Sequence, residues 1–134
     1  MAGFRRRVPG FRETGLQRSA PPLIVYTSAE AHSSVDKAAA ILGIGVGNVR
    51  HIRTDEQNRM DVTALAEADR RAGSRPWCVV ATCGTVNTGA VEPIADLCTA
   101  EGLWLHVDGA YGALFLLCEE LRDLMGGCGR DGGP

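Results

Sequence analysis

Asp108 closes an apolar stretch, Leu103-Trp104-Leu105-His106-Val107, and is followed at once by Gly109-Ala110-Tyr111-Gly112. A carboxylate in such a setting is costly to bury without a cation or a hydrogen-bond donor beside it. On position alone it serves as well as a turn or helix-cap residue. The small residues after it favour a ligand, because they let a flat molecule approach the backbone. An acid among small residues suits a heteroaromatic ring whose nitrogen must stay protonated. His106 lies two residues earlier and so shares a strand face with Asp108. It either orients the carboxylate or is a satisfied interior histidine, and the interior role is the expectation, by a small margin.

Two further segments offer polar groups. Gly84-Thr85-Val86-Asn87-Thr88-Gly89 holds short hydroxyls and an amide between glycines. It is not a Walker A loop, since no Gly-Lys-Ser/Thr follows, and it is not GxGxxG. Taken alone it is a turn as often as a site. His32 stands just before Ser33-Ser34, where helix capping or packing competes with ligand binding. Gly43, Gly45 and Gly47 follow a helix rather than a strand, which argues against a dinucleotide fingerprint.

The elements that must position these residues follow from the apolar pattern. Leu23–Thr27 reads as a buried strand. Ser33 is placed to cap a helix, with Asp36 at capping-box spacing. Val35, Ala38, Ala39 and Leu42 share a face of it, and Gly43 ends it in a left-handed cap. Val49–Arg53 alternates as a second strand. Asp55–Asp61 is a polar loop in which Asp61 caps a helix that Ala64, Leu65 and Ala68 support as far as Ala72, closed by Gly73. Pro76 leads into Trp77–Thr82, a continuous apolar run of a strand buried on both faces. Pro93 suits the first turn of a third helix and Gly102 its end. Leu103–Asp108 is a fourth strand. The order β-α-β-α-β-α-β implies right-handed crossovers and a mainly parallel sheet. Ligands of such sheets bind beyond the carboxyl ends of the strands. His32, Thr85 and Asp108 all follow strands, so one joint site at that edge explains them better than three separate accidents.

Composition limits what the site can serve. The chain has 134 residues, with 14 Lys+Arg against 16 Asp+Glu for a formal charge of −2, and 45% hydrophobic residues. That is a globular composition without the basic surface of a general nucleic-acid binder. The apolar runs are too short to span a bilayer. Arg5-Arg6-Arg7 is followed by no apolar segment of a secretory signal, and reads as a solvated tail rather than a phosphate-binding arm. The five cysteines, Cys78, Cys83, Cys98, Cys118 and Cys128, form no CxxC pair. They read as reduced, mostly buried thiols of a cytoplasmic protein rather than a zinc site. Lys37 is the one lysine among the basic residues.

Three segments together are recognisable. Thr27-Ser28-Ala29-Glu30-Ala31-His32-Ser33-Ser34-Val35-Asp36-Lys37-Ala38-Ala39, Ala81-Thr82-Cys83-Gly84-Thr85-Val86-Asn87-Thr88-Gly89-Ala90-Val91 and Trp104-Leu105-His106-Val107-Asp108-Gly109-Ala110-Tyr111-Gly112 resemble the pyridoxal-phosphate-dependent group II decarboxylases. That family includes the aromatic-amino-acid, histidine, glutamate and sulfinoalanine enzymes. The likeness runs from about Gly15 to Met125. It implies an α/β fold, part of the three-layer, parallel-sheet large domain of the type I pyridoxal-phosphate (aspartate aminotransferase-like) architecture. Residues 23–125 would belong to this cofactor-binding domain, residues 1–22 would be an irregular segment, and residues 126–134 a divergent glycine-rich tail.

The resemblance also implies roles. Asp108 would pair with the protonated pyridine nitrogen of pyridoxal 5'-phosphate. His32 would stack on the ring near the reacting carbon, Ala110 would pack on the opposite face, and Thr85 would contact the ring substituents. His32 and Asp108 would be the catalytic residues. The family holds its cofactor as a Schiff base on a lysine of a His-Lys pair downstream, and this chain has no such pair. Lys37 matches a position the family does not use for that bond and takes a helix-surface role. The family's upstream phosphate-binding segment and its small C-terminal domain have no counterpart here. After Met125 the sequence departs from the family pattern, as a truncation, frameshift or misassigned gene end would produce. The expectation is a decarboxylase fragment, inactive alone, whose complete form is a homodimer acting on an amino acid, with no nucleic-acid or membrane partner. A non-catalytic interaction module and another type I enzyme, such as an aminotransferase, are the alternatives.

Overall fold

The structure is a computed structural model and describes residues 21–69, 75–82, 91–110 and 112. Among these residues, four strands alternate with three α-helices in the expected order. These are β1 (Leu23–Ser28), α1 (Ser34–Ile41), β2 (Val49–Ile52), α2 (Val62–Asp69), β3 (Arg75–Thr82), α3 (Val91–Glu101) and β4 (Trp104–Asp108). A short 3₁₀ turn, Val46–Asn48, precedes β2. The strands form one sheet in the order β2-β1-β3-β4, with every pairing parallel.

Two apolar layers enclose the sheet. On one face Leu23, Val25, Val49, Cys78 and Val80 pack with Ala39 of α1, and Val35 and Trp104 lie against them. On the other, Ile24, Tyr26, Ile52, Val79 and Ala81 pack with Leu65 of α2 and with Ile94 and Cys98 of α3. One helix below and two above give the three layers. The continuous apolar character of β1 and β3 follows from their central places: every residue of β1 is buried, as are Trp77 to Ala81 of β3. Pro76 lies within β3, where a missing N–H would normally weaken a ladder. The register with β1 shifts there, from Ile24↔Pro76 to Val25↔Cys78.

Helix ends follow the glycines and acids. Gly43 and Gly102 have φ of 73° and 66°, the left-handed conformation that stops a helix with no Cβ penalty. Asp61 accepts the Ala64 N–H at 3.0 Å, a side-chain cap for α2. The expected cap at the start of α1 is different. Ser33 is itself in a helical conformation (φ −58°, ψ −9°), and its side chain makes no capping bond. The apolar face of α1 is also narrower than expected. Ala39 is buried and Val35 half-buried, while Ala38 and Leu42 are exposed. The expected end of α2 near Ala72 and Gly73 lies outside the described residues. Among the described residues, no helix is long and apolar enough to cross a membrane.

Candidate cofactor site at the carboxyl edge of the sheet

Parallel pairing brings the carboxyl ends of β1, β3 and β4 to one edge. Thr82 is paired with Asp108 at the last position of β3 and β4, and Thr27 with Val80 one strand over. Since β3 lies between β1 and β4, the segments carrying His32 and Asp108 flank its end.

The segment from β1 to α1 is fixed by its own backbone. Ala29 N–H donates to the Ile52 carbonyl of β2 at 2.8 Å, Ala31 N–H to the Ser28 carbonyl at 3.0 Å, and Glu30 N–H to Ser28 Oγ at 3.1 Å. His32 follows, exposed, and its Nδ1 accepts the Ser34 N–H at 3.2 Å. His32 therefore does the capping that Ser33 does not. An Nδ1 that accepts a backbone N–H leaves the ring proton on Nε2 in the neutral form. The capping alternative and the ligand role are compatible, because only one edge of the ring is used.

Asp108 is half-buried, and its Oδ1 accepts the Ala110 N–H at 3.1 Å. This turn bond fixes the carboxylate and the approach of the chain. Among the described residues this is the one hydrogen bond of the Asp108 carboxylate. Gly109 is half-buried and Ala110 exposed, which keeps bulk away from the acid. Strand alternation puts Trp104, His106 and Asp108 on one side of β4, and Trp104 packs in the layer covered by α1. Asp108 and the helix led by His32 thus lie on the same side of the sheet.

His106 corrects an expectation. It is exposed, not an interior histidine, and among the described residues it makes no bond to Asp108. The reason is topological: β4 is paired by β3 alone among the described strands, and the cluster under α1 reaches β4 only at Trp104. Thr85 and the Gly84–Gly89 loop lie outside the described residues. Lys37 is exposed on α1, as expected of a surface residue. Cys78 and Cys98 are buried thiols, and burial, with Cys98 nearby, pushes the Cys78 thiol up to about 12. Such a thiol is packing, not a nucleophile. Sequence reading missed the exposed pair of His51 on β2 and Asp36 on α1, whose Nε2 and Oδ1 lie 3.2 Å apart. The alternation of Val49 and Ile52 would have put His51 on the α1 side, but nothing in a fifteen-residue separation announces the partner.

A half-buried acid at a strand end, a small-residue approach and an exposed imidazole fit the ring of a pyridoxal cofactor. Residues 4–131 match the family described as pyridoxal-dependent decarboxylase conserved domain. The chain belongs to that family. It is 44% identical over 134 residues to cysteine sulfinic acid decarboxylase of Rattus norvegicus, covering 93% of this chain and 26% of the rat protein. It is 40% identical over 125 residues to aromatic-L-amino-acid decarboxylase of Bacillus atrophaeus, covering 89% and 26%. The crystal structure of mouse CSAD superposes with a TM-score of 0.84 at 38% identity, over 93% of this chain and 27% of that one. The chain thus spans about a quarter of the length of the relatives it matches, and its sheet superposes on part of the mouse CSAD fold.

Proposed function

We propose that these residues form the ring-binding wall of the cofactor site in an amino-acid carboxy-lyase, and that the 134-residue chain by itself does not complete the catalyst. The observation that carries this reading is the placement of Asp108 and His32 on either side of the β3 end. When bound, pyridoxal phosphate supplies the electron sink for the pair left behind as carbon dioxide departs. The Asp108 carboxylate would hold a proton on the ring nitrogen, and the Ala110 N–H keeps that carboxylate aimed. The His32 ring would lie against one face and Ala110 against the other, with Thr85 at the ring substituents. Their shared task is to fix the plane of the ring so that one substrate bond stands perpendicular to it.

What supports the non-catalytic half of the proposal is composition. Lys37 is the single lysine, and it is exposed on α1. No other side chain in the sequence can supply the amine on which the family's cofactor is held. Residues 23–125 are read as the cofactor-domain portion, the complete protein as a homodimer, and its setting as the cytoplasm, in keeping with the buried thiol of Cys78.

The test is a titration of the chain with pyridoxal phosphate, followed by tryptophan quenching, with and without Asp108→Ala. The expected result is saturable, reversible binding that Asp108→Ala weakens, with no carbon dioxide released from labelled amino acids. Binding insensitive to Asp108→Ala, or no saturable binding, overturns the site. Turnover with a stoichiometric adduct on Lys37 overturns the non-catalytic half.

A further inference from the structure

The cofactor reading needs the His32 ring to keep one orientation, yet the helix that orients it is thinly held. α1 has eight residues, fewer than the roughly 12–15 at which isolated helices become stable. Ala39 is its one buried residue, and at its far end Ile41 is 85% exposed. Its first turn has no side-chain cap from Ser33. The same turn is tied rigidly to His32: Ser34 N–H donates to the ring, Val35 N–H to the His32 carbonyl at 3.2 Å, and Lys37 N–H to the Ser33 carbonyl at 3.1 Å. Any tilt of the first turn is therefore a tilt of the imidazole.

One polar tie links that turn to the sheet. Asp36 lies in the first turn of α1, and its Oδ1 receives a hydrogen bond from His51 Nε2 at 3.2 Å. His51 stands on β2 opposite Thr27, a fully buried residue of β1, so its backbone is held by the sheet. We propose that His51 is a positioning residue for His32, acting through Asp36 and the first turn of α1. Its side chain anchors the helix end laterally to β2, beside the half-buried Val35. The proposal rests on the cofactor reading for its purpose, but its physical content, the coupling of His51 to the His32 ring, can be tested without it.

The experiment uses the 134-residue chain with ¹⁵N-labelled histidine, reading the ring nitrogens of His32, His51 and His106. In the wild type, His32 should show an acceptor Nδ1 and a protonated Nε2. His51→Leu should shift His32 toward the tautomer mixture of free imidazole and leave His106, on β4, in place as the control for folding. His51→Gln, whose amide N–H can still reach Asp36, should restore the wild-type His32 signals, as should Asp36→Asn, which keeps an acceptor oxygen. Affinity for pyridoxal phosphate should fall by about threefold to tenfold in His51→Leu and recover in His51→Gln, as for loss of one hydrogen bond. A wild-type His32 that already shows the free mixture overturns the proposal, as does a His51→Leu chain with unchanged His32 signals. If His32 responds to His51→Leu but not to the cofactor, the positioning role stands and the cofactor reading fails.

Discussion

Three segments leave the carboxyl edge of the same sheet, and they use their polar side chains in two opposite ways. After β2, residues 53–61 close on themselves. Asp55 accepts the N–H groups of Gln57 and Arg59 at 2.9 Å each and the Arg59 Nε at 2.8 Å, while Thr54 and Met60 form an antiparallel bridge. Asp61 accepts the Ala64 N–H and, at 2.8 Å, the Arg53 Nε. After β1 and β4, by contrast, His32 and Asp108 each accept one backbone N–H and no other bond among the described residues. An acid whose oxygens are filled by its own loop is structural. An acid held among the described residues by one bond of its own turn is the candidate for a ligand.

The contrast can be broken at its strongest point first. Leu65 is fully buried and anchors α2 behind the closed loop. Leu65→Ala should cost about 2–5 kcal/mol, read from the shift of the urea midpoint. A loss well below that would mean the closed side is not the stable side. Next, Asp108→Ala and Asp61→Ala should separate cleanly. The first should weaken cofactor binding by about tenfold to a hundredfold, the range of a hydrogen bond to a charged group, and leave Tm unchanged. The second should lower Tm by losing the α2 cap and leave binding unchanged. Equal effects of both variants on both measurements would erase the distinction.

Acid should act on the closed loop only below the ordinary carboxylate range. Backbone donation from Arg59, with its side chain, holds the Asp55 carboxyl below the ordinary value, and donation from Ala64, then Arg53, does the same for Asp61. A carboxyl held lower in the folded chain adds stability above its unfolded value and gives it up as pH falls through its folded value. An acid titration of the folded fraction should therefore fall below the ordinary carboxylate range, and Asp55→Asn with Asp61→Asn should flatten that fall. The smallest expected effect is at Lys37. Borohydride should trap no stoichiometric cofactor adduct there, and Lys37→Ala should leave binding as it was, checked by intact mass and titration.

Much of this was legible without coordinates because it is local. The apolar runs of β1 and β3 announce burial on both faces, and Gly43, Gly102 and Asp61 end or start helices where backbone geometry and orphan N–H groups require them. What failed was decided by neighbours. Ser33 has the composition of a cap, but its backbone is already helical, so the donor at Ser34 goes to His32. His106 sits in an apolar strand and reads as interior, yet β4 has β3 as its one pairing strand among those described.

The sequence by itself determined the family and the element order, because both follow from residue types in a fixed local pattern, and the family resemblance made His32, Thr85, Asp108 and Ala110 the candidates. It also determined the shortage of lysine, which is a matter of counting. Tertiary structure alone decided the strand order β2-β1-β3-β4, and with it that His32 and Asp108 flank the same strand end. It alone joined His51 to Asp36. Hydrogen bonds across elements depend on which strands become neighbours, and the lateral order of parallel strands is set by packing over the whole sheet, not by any stretch of sequence within it.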